Sequence, residues 1–306
     1  MIESGTFQQS TNTAIRALSR VSELTNIESV PTIKNANDKY HSVGLGAMNL
    51  AGALAHYQIH YESEEALEFV DAYFRTLRFY ALEASNEIAT ETGETFYEFE
   101  KSQYADGSYL TRKYIDVDEF EFKFDKVAKI FKDIHVPKRE DWVNLNEKIM
   151  SNGLYNSYLL AVAPTGSISY ISESTSSLHP IVNKVESRQE GKVGVVFYPA
   201  PGLSNDTIQY YKSAYDTDMR KMIDIYSTAQ YHVDQGMSLT LFMRSEIPEG
   251  LYEWKNGKTN KMTTRDLNRL RNYAWSKDIK SLYYVRTYTA DSEREIGVNE
   301  CESCSI

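Results

Sequence analysis

The stretch Ala163-Pro164-Thr165-Gly166-Ser167-Ile168-Ser169-Tyr170-Ile171 follows an apolar run at residues 158–163. The run has the length and composition of a buried strand, and a proline ends it. After the proline, Gly166 would let the backbone approach a ligand, and successive N–H groups would form a concave donor surface to which Thr165, Ser167 and Ser169 add hydroxyls. The sequence therefore predicts a strand followed by a phosphate-binding segment at 164–168. An ordinary strand-to-loop turn fits the spacing equally well, because the lysine and the repeated glycines of a P-loop are absent.

Length and charge narrow the classes of protein. The chain has 306 residues, enough for one large domain or two ordinary ones, and its 33 basic and 43 acidic residues give a net charge of −10. This balance argues against a general binder of nucleic acid or of anionic membranes, so any phosphate is expected to be held locally. No apolar run of about 18 residues and no signal-peptide pattern occur. The sequence predicts a cytoplasmic protein.

Periodic apolar positions predict the helices and strands. Residues 11–26 place Ile15, Leu18, Val21 and Leu24 on one helical face. Further helices are predicted at 63–91, 120–131, 142–150, 216–231 and 264–275, and strands at 193–199, 237–243 and 281–286. A hairpin is predicted at 251–262 with its turn at Asn256-Gly257. Strands separated by helices predict an α/β architecture with a parallel sheet that is buried on both faces.

Several conspicuous residues are predicted to be structural. The glycines within residues 43–52 do not match a dinucleotide fingerprint, so they are expected to allow close backbone packing. His179 and His232 stand apart from other ligand types, which favours hydrogen bonding over metal binding or acid–base chemistry. Asp234 and Gln235 are expected to form a loop between a helix and a strand, near a substrate. The acidic residues around 119–133 are expected to face solvent; they are Glu119, Glu121, Asp125 and Asp133.

The only two cysteines, Cys301 and Cys304, form a C-x-x-C within the last six residues. A zinc site would need further ligands that this tail lacks. The preceding residues 289–300 are polar, so the thiols are predicted to form a redox pair on a flexible arm. An inert tail is the alternative.

Four features occur in order along the chain: Pro164-Thr-Gly-Ser-Ile168, Val233-Asp-Gln-Gly236 with Leu239-Thr-Leu-Phe242, Tyr283-Tyr284, and Cys301-x-x-Cys304. Together they closely resemble the C-terminal half of the large (alpha) subunit of class I ribonucleotide reductases, and most closely the class Ib branch of bacteria and their phages. The similarity extends to residues 44–48, 174–180 and 198–201. It therefore covers essentially the whole chain.

The resemblance implies a fold and a reaction. Residues 1–288 would form the C-terminal part of the catalytic domain, a ten-stranded α/β barrel built from two five-stranded halves, and residues 289–306 a flexible tail. The reaction would convert ribonucleoside diphosphates to deoxyribonucleoside diphosphates for DNA synthesis by thiyl-radical chemistry. The segment matching 164–168 would hold the substrate phosphates. No metal or cofactor is expected in this chain itself, because a metal-containing small subunit supplies the radical.

The resemblance also assigns roles near the C-terminus. The pair Tyr283 and Tyr284 would carry the radical in from the small subunit. Adjacent tyrosines on a regular strand point to opposite faces, so stacking of their rings would require a local break in the pleat. Cys301 and Cys304 would reduce the active-site disulfide and would then be reduced by a thioredoxin-like or glutaredoxin-like protein through mixed disulfides.

One departure from the family pattern matters most. The finger-loop motif Asn-x-Cys-x-Glu and the two further cysteines that reduce the substrate are absent, since both cysteines of this chain lie in the tail. No thiyl radical can form without a thiol at the substrate, so the chain alone is expected to be inactive. It would need a separate N-terminal half, and a split gene, as in phages, is preferred here over a truncated protein.

Two other functions remain as alternatives. The chain could be a non-catalytic interaction protein or nucleotide-binding remnant. It could also be an autonomous thiol oxidoreductase built on Cys301 and Cys304, but no helix follows this C-x-x-C to depress a thiol pKa, as one does in thioredoxins. A component of a reductase is the preferred interpretation, because a tail thiol pair has a purpose only where an active site must be reduced.

Overall fold

A computed structural model of the chain describes residues 1–25, 27, 29–190, 194–252, 254–255 and 260–289. The helices are α1 (Phe7–Leu24), α2 (Pro31–Tyr40), α3 (Leu50–His56), α4 (Glu64–Thr92), α5 (Ser108–Leu110), α6 (Asp125–Ile130), α7 (Arg139–Asn152), α8 (Gly166–Ile171), α9 (Met219–His232) and α10 (Thr264–Ser276). The strands are β1 (Val185–Glu190), β2 (Gly194–Pro199), β3 (Leu239–Arg244) and β4 (Leu282–Tyr288). The described part is therefore a helix-rich mixture of α and β structure.

The chain divides into two compact units. Unit 1 contains residues 1–46, 68–161 and 232–235, and unit 2 contains residues 47–67, 162–231 and 236–306. Unit 1 therefore holds α1, α2, α5 to α7 and all but the first turn of α4. Unit 2 holds α3, α8, α10, the four strands and all of α9 except its last residue.

The core of unit 1 is built on α4. Its apolar positions recur every three or four residues without a break, which predicts one long helix, and the structure confirms it. The buried Trp142 of α7 packs edge-on against Phe79 of α4 at 5.0 Å and stacks on Tyr114 at 3.8 Å between ring centroids. These large aromatic side chains contribute most of the buried area in this part of the unit.

Helix α1 is confirmed, but the prediction of its inward face was wrong in part. The buried residues are Phe7, Thr11, Ile15 and Ser19, which recur every fourth residue. Val21 and Leu24 are 63% and 66% exposed. The buried hydroxyls have partners, because Thr11 donates to the carbonyl of Phe7 and the Ser19 oxygen accepts from Asn156. Small polar side chains with such partners can occupy a core position that an apolar pattern does not reveal.

The helix predicted at 120–131 is shorter than its apolar pattern. It begins at Asp125, and the carboxylate of Glu68 accepts the backbone N–H groups of Lys123 at 2.6 Å and Phe124 at 3.1 Å. These amides are bonded in an extended approach instead of a helical turn, so the first turn does not form. The acidic residues of this region are exposed, as predicted.

Unit 2 contains two separate two-stranded sheets. Strands β3 and β4 pair in parallel, and β3 is buried along nearly its whole length, as predicted for an α/β fold. Strands β1 and β2 pair antiparallel, with Val195 and Phe197 of β2 exposed. The expectation that every strand would be parallel and buried on both faces was therefore wrong for β2.

One predicted strand and the predicted hairpin are not formed among the described residues. The run at 158–163 makes only isolated parallel bridges, Leu45 with Leu160 in unit 1 and Val162 with Met237 in unit 2. Residues 251–252 and 254–255 form turns, where the predicted hairpin shows only an isolated bridge between Glu246 and Lys261. The predicted turn at Asn256-Gly257 lies outside the described residues.

No closed sheet is present among the described residues, so the structure supports a mixed α/β fold, and the ten-stranded barrel stays a prediction. In the same part of the chain, none of the helices combines the length and the apolar character needed to cross a bilayer. Of the tail predicted at 289–306, residues 290–306 lie outside the described residues.

Candidate functional site

The 164–168 segment turns directly into α8. Thr165 has a left-handed backbone with φ of 53°, and the helix begins at Gly166. The first N–H groups of a helix have no partner within the helix. Within the described residues, those of Gly166, Ser167 and Ile168 make no hydrogen bond. A Cβ added to Gly166 would meet no atom within 4 Å, so the segment opens to solvent and a ligand can approach its backbone donors.

The hydroxyls of this segment differ in their availability. Thr165 Oγ1 accepts the N–H of Ser177 at 2.8 Å, which leaves its own hydrogen free to be donated. Ser169 is buried and its hydroxyl donates to the carbonyl of Gly166 at 2.9 Å. The prediction that Ser169 supplies a donor to phosphate was therefore wrong, whereas Ser167 is exposed and keeps its hydroxyl at the surface.

The segment is braced from within unit 2. Asn49 Oδ1 accepts the N–H of Thr175 at 2.9 Å, and the Asn49 N–H donates to the carbonyl of Thr175 at 2.8 Å. Ser177, which binds Thr165 through its N–H, also shares a hydrogen bond of 3.2 Å with the hydroxyl of Ser238 just before β3. The 164–168 segment is thus linked through Ser177 to the sheet that carries the tyrosine pair.

Tyr283 and Tyr284 lie side by side on β4. Their ring centroids are 4.1 Å apart with an interplanar angle of 53°, and the rings are 48% and 51% exposed. Leu239 pairs with Leu282 and Leu241 with Val285, so three steps on β4 oppose two on β3. This extra residue is a β-bulge, and it breaks the alternation that would otherwise direct the two rings to opposite faces. The predicted local break in the pleat is confirmed.

The bulge places the two phenol rings next to each other. The hydrogen bond with Tyr284 raises the pKa of Tyr283. A phenol gives up a proton when it is oxidised near neutral pH, since its ordinary pKa is about 10. The pair therefore offers a route by which a proton and an electron can pass between neighbouring rings at the surface.

Asp234 occupies a buried position in unit 1. Its carboxylate accepts the N–H groups of Leu159 at 3.0 Å and Leu160 at 2.9 Å and pairs with the guanidinium of Arg78 from α4. Arg78 also donates to the hydroxyl of Tyr104. Burial lowers the pKa of Arg78, but the Asp234 carboxylate and the neighbouring tyrosines together raise it, so the net pKa lies well above its usual value and the guanidinium is charged. We call Arg78, Asp234 and the two amides the Asp234 anchor.

Gln235 extends this arrangement. Its N–H donates to the carbonyl of Leu160 at 3.1 Å, and its side-chain amide donates to the carbonyl of Val43 at 2.7 Å. The prediction that Asp234 and Gln235 form a loop between a helix and a strand is confirmed. Close packing of the early glycines is confirmed too, because a Cβ on Gly44 would lie 3.2 Å from that of Ala161.

The two histidines have structural partners. His232 Nε2 lies 2.7 Å from Asp71 Oδ1, and Nδ1 lies 3.0 Å from the hydroxyl of Tyr114. Burial lowers the pKa of His232 to about 4, although the Asp71 carboxylate alone would raise it. His179 Nδ1 donates to the carbonyl of Pro180 at 2.8 Å, and burial lowers its pKa. Both histidines are therefore neutral near pH 7.

The described residues contain neither a candidate metal site nor the tail thiols. In the described part of the chain, no group of three or more His, Cys, Asp or Glu side chains could hold a metal ion. Cys301 and Cys304 lie outside the described residues, so their pairing and reach stay predictions.

Sequence reasoning missed the Asp234 anchor. One signal was present, because Arg78 stands among Phe74, Leu77, Ala81 and Leu82 on an otherwise apolar face of α4. A charged residue in such a position is rarely buried without a paired partner. The identity of that partner, more than 150 residues later in the chain, has no local signal.

The family model and the similar proteins all belong to ribonucleotide reductases. The model of the ribonucleotide reductase barrel domain matches residues 2–285. Subunit alpha of ribonucleoside-diphosphate reductase from Bacillus subtilis (strain 168) is 41% identical over 306 residues, which cover 100% of this chain and 40% of that protein. The nrdEB subunit alpha from Bacillus phage SPbeta is 44% identical, covering 96% of this chain and 25% of that protein. Subunit alpha of ribonucleoside-diphosphate reductase from Helicobacter pylori is 30% identical, and the match covers 89% of this chain and 32% of that protein.

Proposed function

Because the chain belongs to the ribonucleotide reductase barrel-domain family, we propose that it is the C-terminal part of the catalytic machinery of a ribonucleoside-diphosphate reductase. The chain spans between a quarter and two fifths of the relatives named above. The remaining part of the catalytic subunit, whether on the same or on a separate polypeptide, would complete the barrel. It would also supply the substrate-site thiols, which this sequence lacks.

In this proposal the 164–168 segment binds the diphosphate of the substrate. Three N–H groups without a partner among the described residues and the free hydroxyl hydrogens of Thr165 and Ser167 are the donors that support this role. They would hold the phosphates by hydrogen bonds at a backbone turn, in the manner of an anion-binding nest. The absence of a lysine or arginine from the segment would leave neutral donors to position the diphosphate.

The observation that carries the proposal is the contact of Tyr283 and Tyr284 at the bulge in β4. Two phenol rings whose centroids are 4.1 Å apart and that are half exposed suit transfer of a proton and an electron from one ring to the other. A small subunit that generates the radical would dock beside this exposed pair. The bulge leaves one residue of β4 outside the strand pairing. In this proposal the bulge is kept because it places the two rings next to each other.

Cys301 and Cys304 would then act as the reducing arm. Their dithiol would transfer two electrons and two protons to the disulfide formed at the substrate, and the resulting tail disulfide would be reduced by a thioredoxin-like or glutaredoxin-like protein. The chain itself would hold no cofactor in this scheme, and the radical would come from the metal-containing small subunit.

The test separates the radical path from the reducing arm in the reconstituted enzyme. Tyr283→Phe and Tyr284→Phe keep the ring but remove the O–H, so turnover should vanish with every reductant. Cys301→Ser and Cys304→Ser should allow about one turnover from thiols that are already reduced, and a small dithiol that enters the site should restore further cycles.

Tyr97→Phe is the matched control, since Tyr97 is equally exposed but lies in unit 1. It should leave turnover unchanged. Activity of either pair variant would refute the radical role. A complex that assembles and binds diphosphate but never turns over would instead favour a non-catalytic remnant.

A further inference from the structure

A groove in unit 2 is lined by two arginines, Arg220 and Arg269. Its volume is about 580 Å³. The side chains that line it come from α9, α10 and the turn before α10; they are Arg220, Trp254, Arg269, Asn272, Tyr273 and Ser276. Within the described part of the chain no carboxylate lines the groove, although the whole chain has a net charge of −10.

Arg220 is held between two aromatic rings. Its guanidinium carbon lies 5.2 Å from the ring centroid of Trp254 and 4.9 Å from that of Tyr273. Such cation–π contacts cover the flat faces of the guanidinium and fix its orientation. The Nε atom is buried and has no hydrogen-bond partner within the described residues, and the guanidinium makes no ion pair there. Arg220 thus lines the groove with a charged group that two aromatic rings contact.

The carboxylates next to the groove are occupied elsewhere. Asp218 Oδ1 accepts from the indole N–H of Trp254 at 2.9 Å and from the backbone N–H of Arg220 at 2.8 Å. Asp224 Oδ1 accepts from the hydroxyl of Tyr273 at 2.7 Å and lies 3.1 Å from Lys277 Nζ. These contacts position the aromatic walls, and among the described residues neither carboxylate forms a close ion pair with the guanidinium of Arg220.

The remaining polar lining can donate as well. Arg269, Asn272 and Ser276 follow one another at spacings of three and four residues, so they share one face of α10. The Arg269 guanidinium lies 3.6 Å from Asp266 Oδ1, while the other oxygen of Asp266 binds Lys255 at 2.8 Å. Two guanidinium groups, an amide and a hydroxyl therefore converge on one space.

From this geometry we propose that the groove binds the phosphate group of a small phosphorylated molecule. A phosphate group offers several strong acceptor oxygens, and guanidinium groups bind it through paired N–H donors. The space exceeds a single phosphate, so an organic remainder fits beside it. This site is distinct in sequence from the 164–168 segment, and the proposal does not rest on the catalytic role of the chain.

The test uses the indole N–H signals of the full-length chain labelled with ¹⁵N-tryptophan. The chain has three tryptophans, and Trp254→Phe assigns the signal of the groove. Inorganic phosphate and ADP are titrated separately at constant ionic strength, with sodium chloride as the ionic control. We expect a saturable shift of Trp254, with no shift of the buried Trp142. Binding of ADP about tenfold tighter than phosphate would identify a phosphate ester as the ligand, and equal binding would identify free phosphate.

Variants test the donors. Arg220→Gln should weaken binding at least about tenfold, and Arg269→Gln several-fold, because each removes charge-assisted donors. Arg271→Gln is the matched control, since it removes an exposed arginine of the same helix that does not line the groove. The affinity of Arg271→Gln for phosphate and ADP should match that of the wild type. Ser276→Glu keeps the aromatic stack and places a carboxylate in the groove, so it should abolish binding even if Arg220→Gln does not fold.

Three results would overturn the proposal. The first is a shift of the Trp254 indole signal by chloride equal to that by phosphate. The second is the lack of a saturable shift with either phosphate or ADP up to about 10 mM. The third is binding of phosphate or ADP by Ser276→Glu with the affinity of the wild type. Gly166→Val should leave the Trp254 titration unchanged, which keeps this groove separate from the 164–168 segment.

Discussion

Two sets of backbone amides close together in the sequence have opposite environments. The N–H groups of Leu159 and Leu160 donate to the buried carboxylate of Asp234 in unit 1. Those of Gly166, Ser167 and Ile168, in unit 2, have no partner among the described residues and open to solvent. Buried amides need hydrogen-bond partners within the protein, whereas exposed amides can donate to water or to a ligand. The difference separates residues that maintain the fold from residues that can bind.

The energies of the two regions should differ accordingly. Loss of one partner from a buried, hydrogen-bonded ion pair leaves the other charge uncompensated, which is costly. Loss of a donor at an exposed turn changes little in the free energy of unfolding. Substitutions that measure stability and binding separately can therefore test whether the distinction is real.

The largest effect is expected from Asp234→Ala. This change leaves the guanidinium of Arg78 buried without its carboxylate and removes the acceptor for two amides. The free energy of unfolding should fall by about 3–5 kcal/mol. Urea unfolding followed by circular dichroism measures it.

Asp38→Ala provides the comparison for that variant. Asp38 pairs with Lys34 at 2.7 Å on α2, and both side chains are at least half exposed. Its removal should cost no more than about 0.5 kcal/mol, as for other surface pairs. Equal losses in the two variants would show that the Asp234 anchor is not a stabilising centre.

The sequence revealed the elements that depend on local order. The unbroken apolar period predicted α4, and the helix predicted at 264–275 is α10. The adjacent tyrosines of β4 led to the expected break in the pleat. Each of these inferences needed only neighbouring residues, or the fixed alternation of a strand.

The sequence did not reveal features that depend on distant partners. Residues 158–163 have the composition of a strand, but Asp234 takes the amides of Leu159 and Leu160 that a ladder would have used. The hydroxyl of Ser169 is used inside α8, although its sequence position suggested a ligand donor. In both cases the competing hydrogen bond is a tertiary or helical contact that composition does not encode.

The second prediction concerns pH and the residues next to the Asp234 anchor. Burial lowers the pKa of His232 to about 4, whereas an unfolded histidine titrates near 6.5. Between these values the unfolded chain binds more protons, so stability rises with pH and is lost as the pH falls from about 6.5 to 4. The contribution of His232 to the free energy of unfolding should be about 3 kcal/mol.

Urea unfolding at a series of pH values checks this sign. His232→Asn should show a shallower loss of stability over that range, because one titrating group has been removed. His179 has a pKa that burial lowers in the same direction, so some pH dependence should remain. His60→Asn, at the surface, should leave the slope of the wild type. An unchanged slope in His232→Asn would contradict a neutral, buried His232.

The smallest effect on stability is expected from Gly166→Val, and it gives the sharpest contrast. A Cβ at Gly166 meets no atom within 4 Å, so the free energy of unfolding should change by less than about 1 kcal/mol. The added methyl groups would nevertheless obstruct the open N–H donors, so KM for ribonucleoside diphosphates should rise in the reconstituted enzyme while assembly is unaffected. Gly44→Val should behave in the opposite way, because its Cβ would lie 3.2 Å from that of Ala161 and the strain would lower stability. If Gly166→Val leaves KM unchanged, the exposed amides are an ordinary helix start, and the contrast with the Asp234 anchor is one of burial alone.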